Sequence, residues 1–327
     1  MTQLLEQLRH RARASGASLV LPEGDDPRIL EAAAQAPAAG LGQPAVVGDP
    51  AAVQALAQEH GIPVSFPILD PRDDEDQPAL AAYLGRRLAA KKRPPEEIAA
   101  LALEPLHYAC LLVATGRYDG AVMGARATTA ETLRAALRCV GPRPGLKTVS
   151  SCFLMVLPDG RGLIYSDCAV VPDPSPAQLA DIATAAAQSC RDLLGTEPQV
   201  AMLSFSTHGS AQHPLVKRVL EGVEELQRRQ VDFAFDGELQ ADAALVPDVG
   251  RRKAPNSTVA GQANVLVFPN LDAGNIAYKL TQRLAGARAV GPLLQGLDRP
   301  VHDLSRGCST ADVLDAMAVA AVQRRRA

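Results

Sequence analysis

Short β-branched runs alternate with Ala-rich stretches along the whole chain, so strands and helices must take turns, and a chain of this pattern folds as an α/β protein. Strands are predicted at 18–21, 45–47, 120–123, 148–156, 162–166, 200–205, 233–236, 265–268 and 289–291. The intervening helices are predicted at 27–36, 50–59, 78–90, 95–115, 129–140, 176–194, 214–229, 274–284 and 309–324. Several begin at or beside Pro, which suits a first helical turn because its missing N–H needs no partner there. At roughly 150 residues per domain, 327 residues make about two domains. The segment Gly141-Pro142-Arg143-Pro144-Gly145 cannot continue a helix and marks a boundary. A second stiff segment, Gly296 to Pro300, precedes the last helix, which either returns to the first domain or stays with the second. With that return the division is 1–145 plus 299–327 as a discontinuous first domain and 146–298 as the second.

Charge and composition exclude several function classes. With 33 Lys and Arg against 36 Asp and Glu, the net charge of −3 provides no positive field for nucleic acid or an anionic membrane. Six Phe, five Tyr and no Trp are too few for a platform that stacks single-stranded bases. No apolar run approaches the ~18 residues of a membrane span, and the basic start MTQLLEQLRHRARASGA has no signal-peptide core, so a cytoplasmic protein is expected. The six Cys show no C-x-x-C and the six His no i, i+4 pair, so neither a disulfide framework nor a metal site is indicated. The charged runs 70–76, 251–253 and 324–326 read as solvated loops or a basic helix end offsetting the macrodipole.

Three segments share one plan, an apolar strand, a turn of small and hydroxyl residues, then a helix: VMGARATTAETLR from Val122, VAMLSFSTHGSA from Val200 and VLVFPNLDAGNIAYK from Val265. Such turns lie at the carboxyl ends of parallel strands, and helix N-termini there offer free N–H groups to an anion. Thr128, Thr129, Ser206, Thr207 and Asn275 are the candidate ligands, with Arg134 and Lys279 as cations on the new helices. None of the segments matches the Walker or dinucleotide glycine patterns, so ATP and NAD are not supported. A fourth cluster, Asp303-Leu304-Ser305-Arg306-Gly307-Cys308-Ser309-Thr310-Ala311-Asp312, joins a capping box (Ser309, Asp312) to an Arg flanked by small residues, an arrangement suited to gripping phosphate in a bidentate fashion.

At these residues the chain resembles the phosphate acetyltransferase (phosphotransacetylase) family, which exchanges acetyl between coenzyme A and inorganic phosphate. The segments that carry the resemblance are LPEGDDPRILEAA, GARATTAETLR, IYSDCAV, VAMLSFSTHGSA, DGELQADAALVPDV, the run from KAPNSTVAGQAN to GPLLQGL, and DLSRGCSTADV. The resemblance implies two αβα-type domains with an interdomain cleft, like the isocitrate and isopropylmalate dehydrogenases, with the last helix returned to the first domain, in a homodimer. It also implies that no metal or other cofactor is used, CoA and acetyl-CoA being substrates alongside phosphate and acetyl phosphate. The family's Ser-Arg pair falls on Ser305 and Arg306, its general base on Asp312, and its arginine after T-T-A on Arg134, where Ala135 replaces the usual Pro. A further substrate arginine falls on Ala89 or Ala90, which leaves Arg86, Arg87, Lys91 or a lost function open, with Arg87 carried as the candidate.

On this reading Asp312 deprotonates the CoA thiol, Arg306 and Arg134 hold phosphate, and Ser305 donates to the oxyanion. Ser305 as a covalent nucleophile is the rival role, disfavoured because no His sits at a recognisable partner position and His302 reads equally well as a surface residue. The alternatives are a propionyl or butyryl transferase and a non-catalytic acyl-CoA-binding regulatory module.

Overall fold

The computed structural model describes residues 3–324, so the basic run 324–326 lies outside the described residues beyond Arg324. In the N-terminal part the elements are α1 (Gln3–Ser15), β1 (Leu19–Leu21), α2 (Pro27–Gln35), β2 (Ala45–Val47), α3 (Pro50–Glu59), β3 (Ile68–Leu69), α4 (Gln77–Arg87), α5 (Pro95–Leu103), α6 (Pro105–Ala114), β4 (Gly120–Met123) and α7 (Thr129–Cys139). The middle of the chain forms β5 (Ser150–Val156), β6 (Gly162–Ser166), α8 (Pro176–Leu194), β7 (Gln199–Leu203), α9 (Pro214–Arg228), β8 (Ala234–Leu239), α10 (Ala241–Leu245), α11 (Pro247–Lys253), β9 (Val265–Val267), α12 (Leu271–Leu284) and β10 (Arg288–Gln295). The last elements are β11 (Val301–Asp303) and α13 (Thr310–Val322). Two compact units result: a first of residues 5–144 with 297–324, and a second of 145–296 joined by residues 3–4. Both are mixed α/β, each built on a sheet in which parallel pairing predominates.

The first unit's sheet has the order β11-β4-β1-β2-β3 and every pair is parallel. Its strands are buried on both faces because successive side chains alternate. Leu19 and Leu21 pack with α2 and α13 through Ile29, Leu30, Val313 and Met317, whereas Val20 packs with α4, α6 and α7 through Leu84, Leu111 and Ala136. The second unit's sheet runs β10-β5-β6-β9-β7-β8, antiparallel across β10, β5 and β6 and parallel from β6 to β8. The Ala-rich helix α8 brings backbones close there, and a Cβ added at Gly222 of α9 would lie 3.2 Å from Leu179.

Three expectations change. The single helix expected over 95–115 is two helices bent by 91°, because Pro105 disfavours a helical conformation at Glu104, which takes the extended φ −64°, ψ 130°. The acidic run 70–76 is not simply solvated: Asp70 pairs with Arg72, which also reaches Asp49, and Asp74 accepts from Tyr108 and Arg117. His302 is fully buried in β11, where burial holds its imidazole down at about 4, so it is neutral and not on the surface. Among the described residues no single helix is long and apolar enough to cross a membrane.

Candidate active site

Adjacent parallel strands β4 and β11 end side by side in the first unit, and each feeds a turn and then a helix. The β4 turn, Gly124–Ala127, is wrapped around one carboxylate. Glu23, 5% exposed just after β1, accepts from the N–H groups of Gly124 and Ala125 at 2.8 and 2.8 Å on Oε2, and from Arg126 and Ala127 at 2.9 and 2.8 Å on Oε1. A buried carboxylate with both oxygens filled by donors fixes the turn that launches α7. Thr128 then caps α7 in a capping box, its hydroxyl and N–H each reaching Glu131 Oε2 at 2.8 Å.

The β11 turn is held by Arg28, whose guanidinium forks onto Asp26 at 3.0 and 2.7 Å. Its remaining N–H groups donate to the carbonyls of Arg306 (2.8 Å), Cys308 (2.9 Å) and Ala125 (2.7 Å). One side chain thereby ties the β1, β4 and β11 turns together. Burial opposes ionisation of Asp26, but its hydrogen bonds from Arg28 prevail and hold its carboxyl below the usual 3.8.

The Ser305 and Arg306 side chains stand exposed on the β11 turn, where Ser305 Oγ accepts from the Gly307 N–H at 3.3 Å. The expected Ser309–Asp312 capping box is present: Asp312 Oδ2 accepts from Ser309 N–H and Oγ, both at 2.9 Å. Among the described residues Asp312 Oδ1 makes no hydrogen bond, and the side chain is exposed, so one oxygen caps and the other is open. Arg134 is exposed on α7. Glu131, in the first turn of α7, is held below its usual range first by its hydrogen bonds from Thr128, with the positive charges of Arg134 and Arg306 adding to that.

Thr129 is not an open ligand: its hydroxyl donates to Asp303 Oδ2 at 2.6 Å. Asp303, 2% exposed at the end of β11, is pushed up to about 6 by burial, against the hydrogen bond from Thr129. Burial also pushes the Cys308 thiol up, with Arg28 opposing, so Cys308 is a poor nucleophile. All six cysteines are buried free thiols. Arg87 packs over Gly141 and donates through Nε to the carbonyl of Arg138 at 3.4 Å, Arg86 lies over the Tyr83 ring, and Lys91 is exposed.

The remaining candidates belong to the second unit. Ser206 is fully buried and donates to Glu238 at 2.7 Å, and Thr207 accepts from the Gln240 N–H at 2.9 Å, so both hydroxyls staple the 204–211 loop to β8. Asn275 donates to the Cys168 carbonyl at 3.0 Å, and Lys279 is exposed beside the Tyr278 ring. A cavity of about 390 Å³ beside that loop is walled by Leu203, Phe205, Leu215 and Phe268, and its cation, Arg218, is paired with Asp173. Among the described residues no group of three or more His, Cys, Asp and Glu is gathered to hold a metal ion.

Sequence reasoning missed Glu23, Arg28, Glu131 and Asp303. Their signal was present as charged residues where an apolar strand gives way to a helix start, in LPEGDDPR, TAETLR and VHDLSRG.

The chain is 43% identical over 324 residues to a phosphate acetyltransferase of Acetivibrio thermocellus, covering 98% of this chain and 97% of the relative. A solved phosphotransacetylase from Streptococcus pyogenes superposes with a TM-score of 0.91 at 38% identity, covering 98% of this chain and 97% of that one. In fold alone, a 4-hydroxythreonine-4-phosphate dehydrogenase from Klebsiella pneumoniae is similar, with a TM-score of 0.54 at 12% identity over 94% of this chain and 98% of that one. The family model for phosphate acetyl/butaryl transferase matches residues 3–321, and the chain belongs to that family.

Proposed function

We propose that this chain is a phosphate acetyltransferase that moves acetyl reversibly between coenzyme A and inorganic phosphate by direct attack, with Arg306, Arg134, Ser305 and Asp312 as its working residues. The observation that carries the reading is the pair of exposed arginines fed by adjacent parallel strands, Arg134 on α7 after β4 and Arg306 on the turn after β11, with the open oxygen of Asp312 in the first turn of α13, six residues beyond Arg306.

From acetyl phosphate, the CoA thiol gives its proton to Asp312 Oδ1 as its sulfur bonds to the carbonyl carbon. A thiol is only a few per cent ionised near neutral pH, so a base at the site raises the concentration of nucleophile. The carbonyl π pair moves to oxygen, where Ser305 Oγ–H donates to it. As that pair returns, the bond from the carbonyl carbon to the bridging oxygen breaks, phosphate departs with that oxygen and both electrons, and the proton on Asp312 passes to phosphate or solvent. Arg306 and Arg134 receive that growing charge, and holding both reactants together supplies a large part of the rate. The reverse reaction follows the same path. Lys279 remains a candidate anion contact within its own unit, and Arg87, committed to the end of α7, serves packing there.

The family's dehydrogenase-like two-domain plan is supported by the likeness at a TM-score of 0.54, and a homodimer is part of the same proposal. Supporting the dimer, Ile276, Leu280 and Leu284 form an exposed stripe at i, i+4, i+8 on α12, 56, 52 and 81% exposed. The function is tested by thiol release from acetyl-CoA with and without phosphate, repeated with butyryl-CoA. Phosphate-dependent release, faster with acetyl-CoA, supports it; faster release from butyryl-CoA reassigns the acyl group, and no release with either removes the activity.

A further inference from the structure

Asp303 is a buried carboxylate that the chemistry above does not use. It closes β11 two residues before Ser305, and Oδ2 accepts from Thr129 Oγ1, on the first residue of α7, at 2.6 Å. Its other oxygen is buried with no hydrogen-bond partner. The surroundings are built tightly around it. A Cβ at Gly124 would lie 2.3 Å from Oδ1 and 2.7 Å from the Leu304 N–H, and Gly124 has φ +99°, so only glycine serves there. From α7, Thr132 is fully buried on the same face as Thr129; from the β1 turn, Glu23 is the neighbouring charge. An ionisable group kept this dry beside a site usually serves function, because an apolar residue would cost less.

We propose that Asp303 is a positioning residue, whose bond to Thr129 ties the first turn of α7 to the end of β11 so that Arg134 and Arg306 face one anion. The inference rests on the reading of those arginines given under Proposed function. Among the described residues this is the side-chain hydrogen bond of full geometry from α7 to β11, with Thr132 on the same helix face close enough to favour the Asp303 carboxylate as well, while Glu23 and Arg28 reach the α7 side through the Gly124–Ala127 backbone. A carboxylate reaches both the strand end and the helix start, whereas a residue serving only the core would need no acceptor aimed at Thr129. Asn in its place keeps an acceptor for the hydroxyl; Ala does not.

The test compares Asp303→Ala, Asp303→Asn, Thr129→Val and the double variant Asp303→Ala/Thr129→Val in the full chain. Two quantities are read: the dissociation constant of inorganic phosphate, from its concentration-dependent protection against thermal unfolding, and kcat/KM in thiol release. Asp303→Ala and Thr129→Val are each expected to weaken phosphate binding by about tenfold and to lower kcat/KM by on the order of 100-fold, the scale of a misplacement near 1 Å. The double variant should be no worse than either single one, as for two ends of one interaction. Asp303→Asn should restore both quantities to within about threefold of wild type and remove the inflection near pH 6 expected of the wild-type profile. Additive losses in the double variant would overturn the proposal. So would phosphate affinity within about twofold of wild type in both single variants. If Asp303→Ala does not fold, Thr129→Val and Asp303→Asn decide. If the wild type releases no thiol, the functional reading falls, while the phosphate constants still decide whether Asp303 positions the arginines.

Discussion

Replacing Glu23 by Gln changes one atom in a buried side chain and should be costly. The carboxylate accepts four backbone N–H groups at 2.8 to 2.9 Å and is 5% exposed. A carboxamide offers one oxygen, which can keep two of those donors, while its NH₂ confronts the other two. Each buried N–H left without an acceptor costs about 1–3 kcal/mol. The less damaging orientation turns the oxygen to Gly124 and Ala125, which are buried, and leaves Arg126 and Ala127, which water can reach. That choice puts each loss at the lower half of the range, so the first unit should lose about 3 kcal/mol. Urea unfolding followed by a probe in the first unit reads this as a lower midpoint at unchanged slope. Transfer activity should fall as well, because the same turn launches α7 and Arg134. A loss below about 1 kcal/mol would refute the view that this carboxylate organises the turn.

Four further outcomes follow from the same geometry. Arg28→Met leaves Asp26 buried and unpaired and frees the carbonyls of Ala125, Arg306 and Cys308, for a loss of about 3 kcal/mol at pH 7 after allowing for the partial exposure of Arg28. Because Asp26 sits below its usual 3.8 in the fold, that pair stabilises above pH 4 and the benefit vanishes on acidification, so the stability gap between wild type and Arg28→Met should narrow in acid. Asp303 has the opposite sign: raised to about 6 from 3.8, it favours the fold when protonated and penalises it as pH rises through 6, so Asp303→Asn should gain up to about 3 kcal/mol on wild type between pH 4 and pH 8 in paired denaturation curves. Arg306→Ala removes an exposed side chain and should cut kcat/KM for acetyl phosphate by at least about 100-fold with its melting temperature unchanged; near-wild-type kcat/KM would remove Arg306 from the site. Asp312→Asn retains much of the cap but not the base, so kcat at neutral pH should fall while α13 stays folded by circular dichroism.

The parts of the site that were legible in the chain are local ones. Ser309 and Asp312 announce a helix start because both halves of a capping box lie within four residues, and Pro27, Pro50 and Pro176 mark helix starts that the structure reproduces. Strands 45–47, 120–123 and 162–166 were visible as apolar runs between turns. What escaped is held by partners far apart in the chain: Arg28 meets the Arg306 carbonyl across 278 positions and Thr129 meets Asp303 across 174. The strand β11 escaped because two of its three residues are His and Asp, which read as a loop until β4 is seen beside them. Thr129, Ser206 and Thr207 look like phosphate ligands in sequence, yet each hydroxyl bonds to a side chain or backbone group elsewhere in its own unit. Hydroxyl-rich turns therefore identify a strand end, but not which hydroxyls remain open.

Exchange of labelled inorganic phosphate into acetyl phosphate, followed with and without CoA, tests direct transfer at the Ser305, Arg306 and Asp312 site. Direct attack by the CoA thiol predicts that label enters acetyl phosphate only when CoA is present. Exchange without CoA would mean that acetyl waits on the protein, with Ser305 as its carrier, and would contradict the mechanism; no exchange even with CoA would contradict the function.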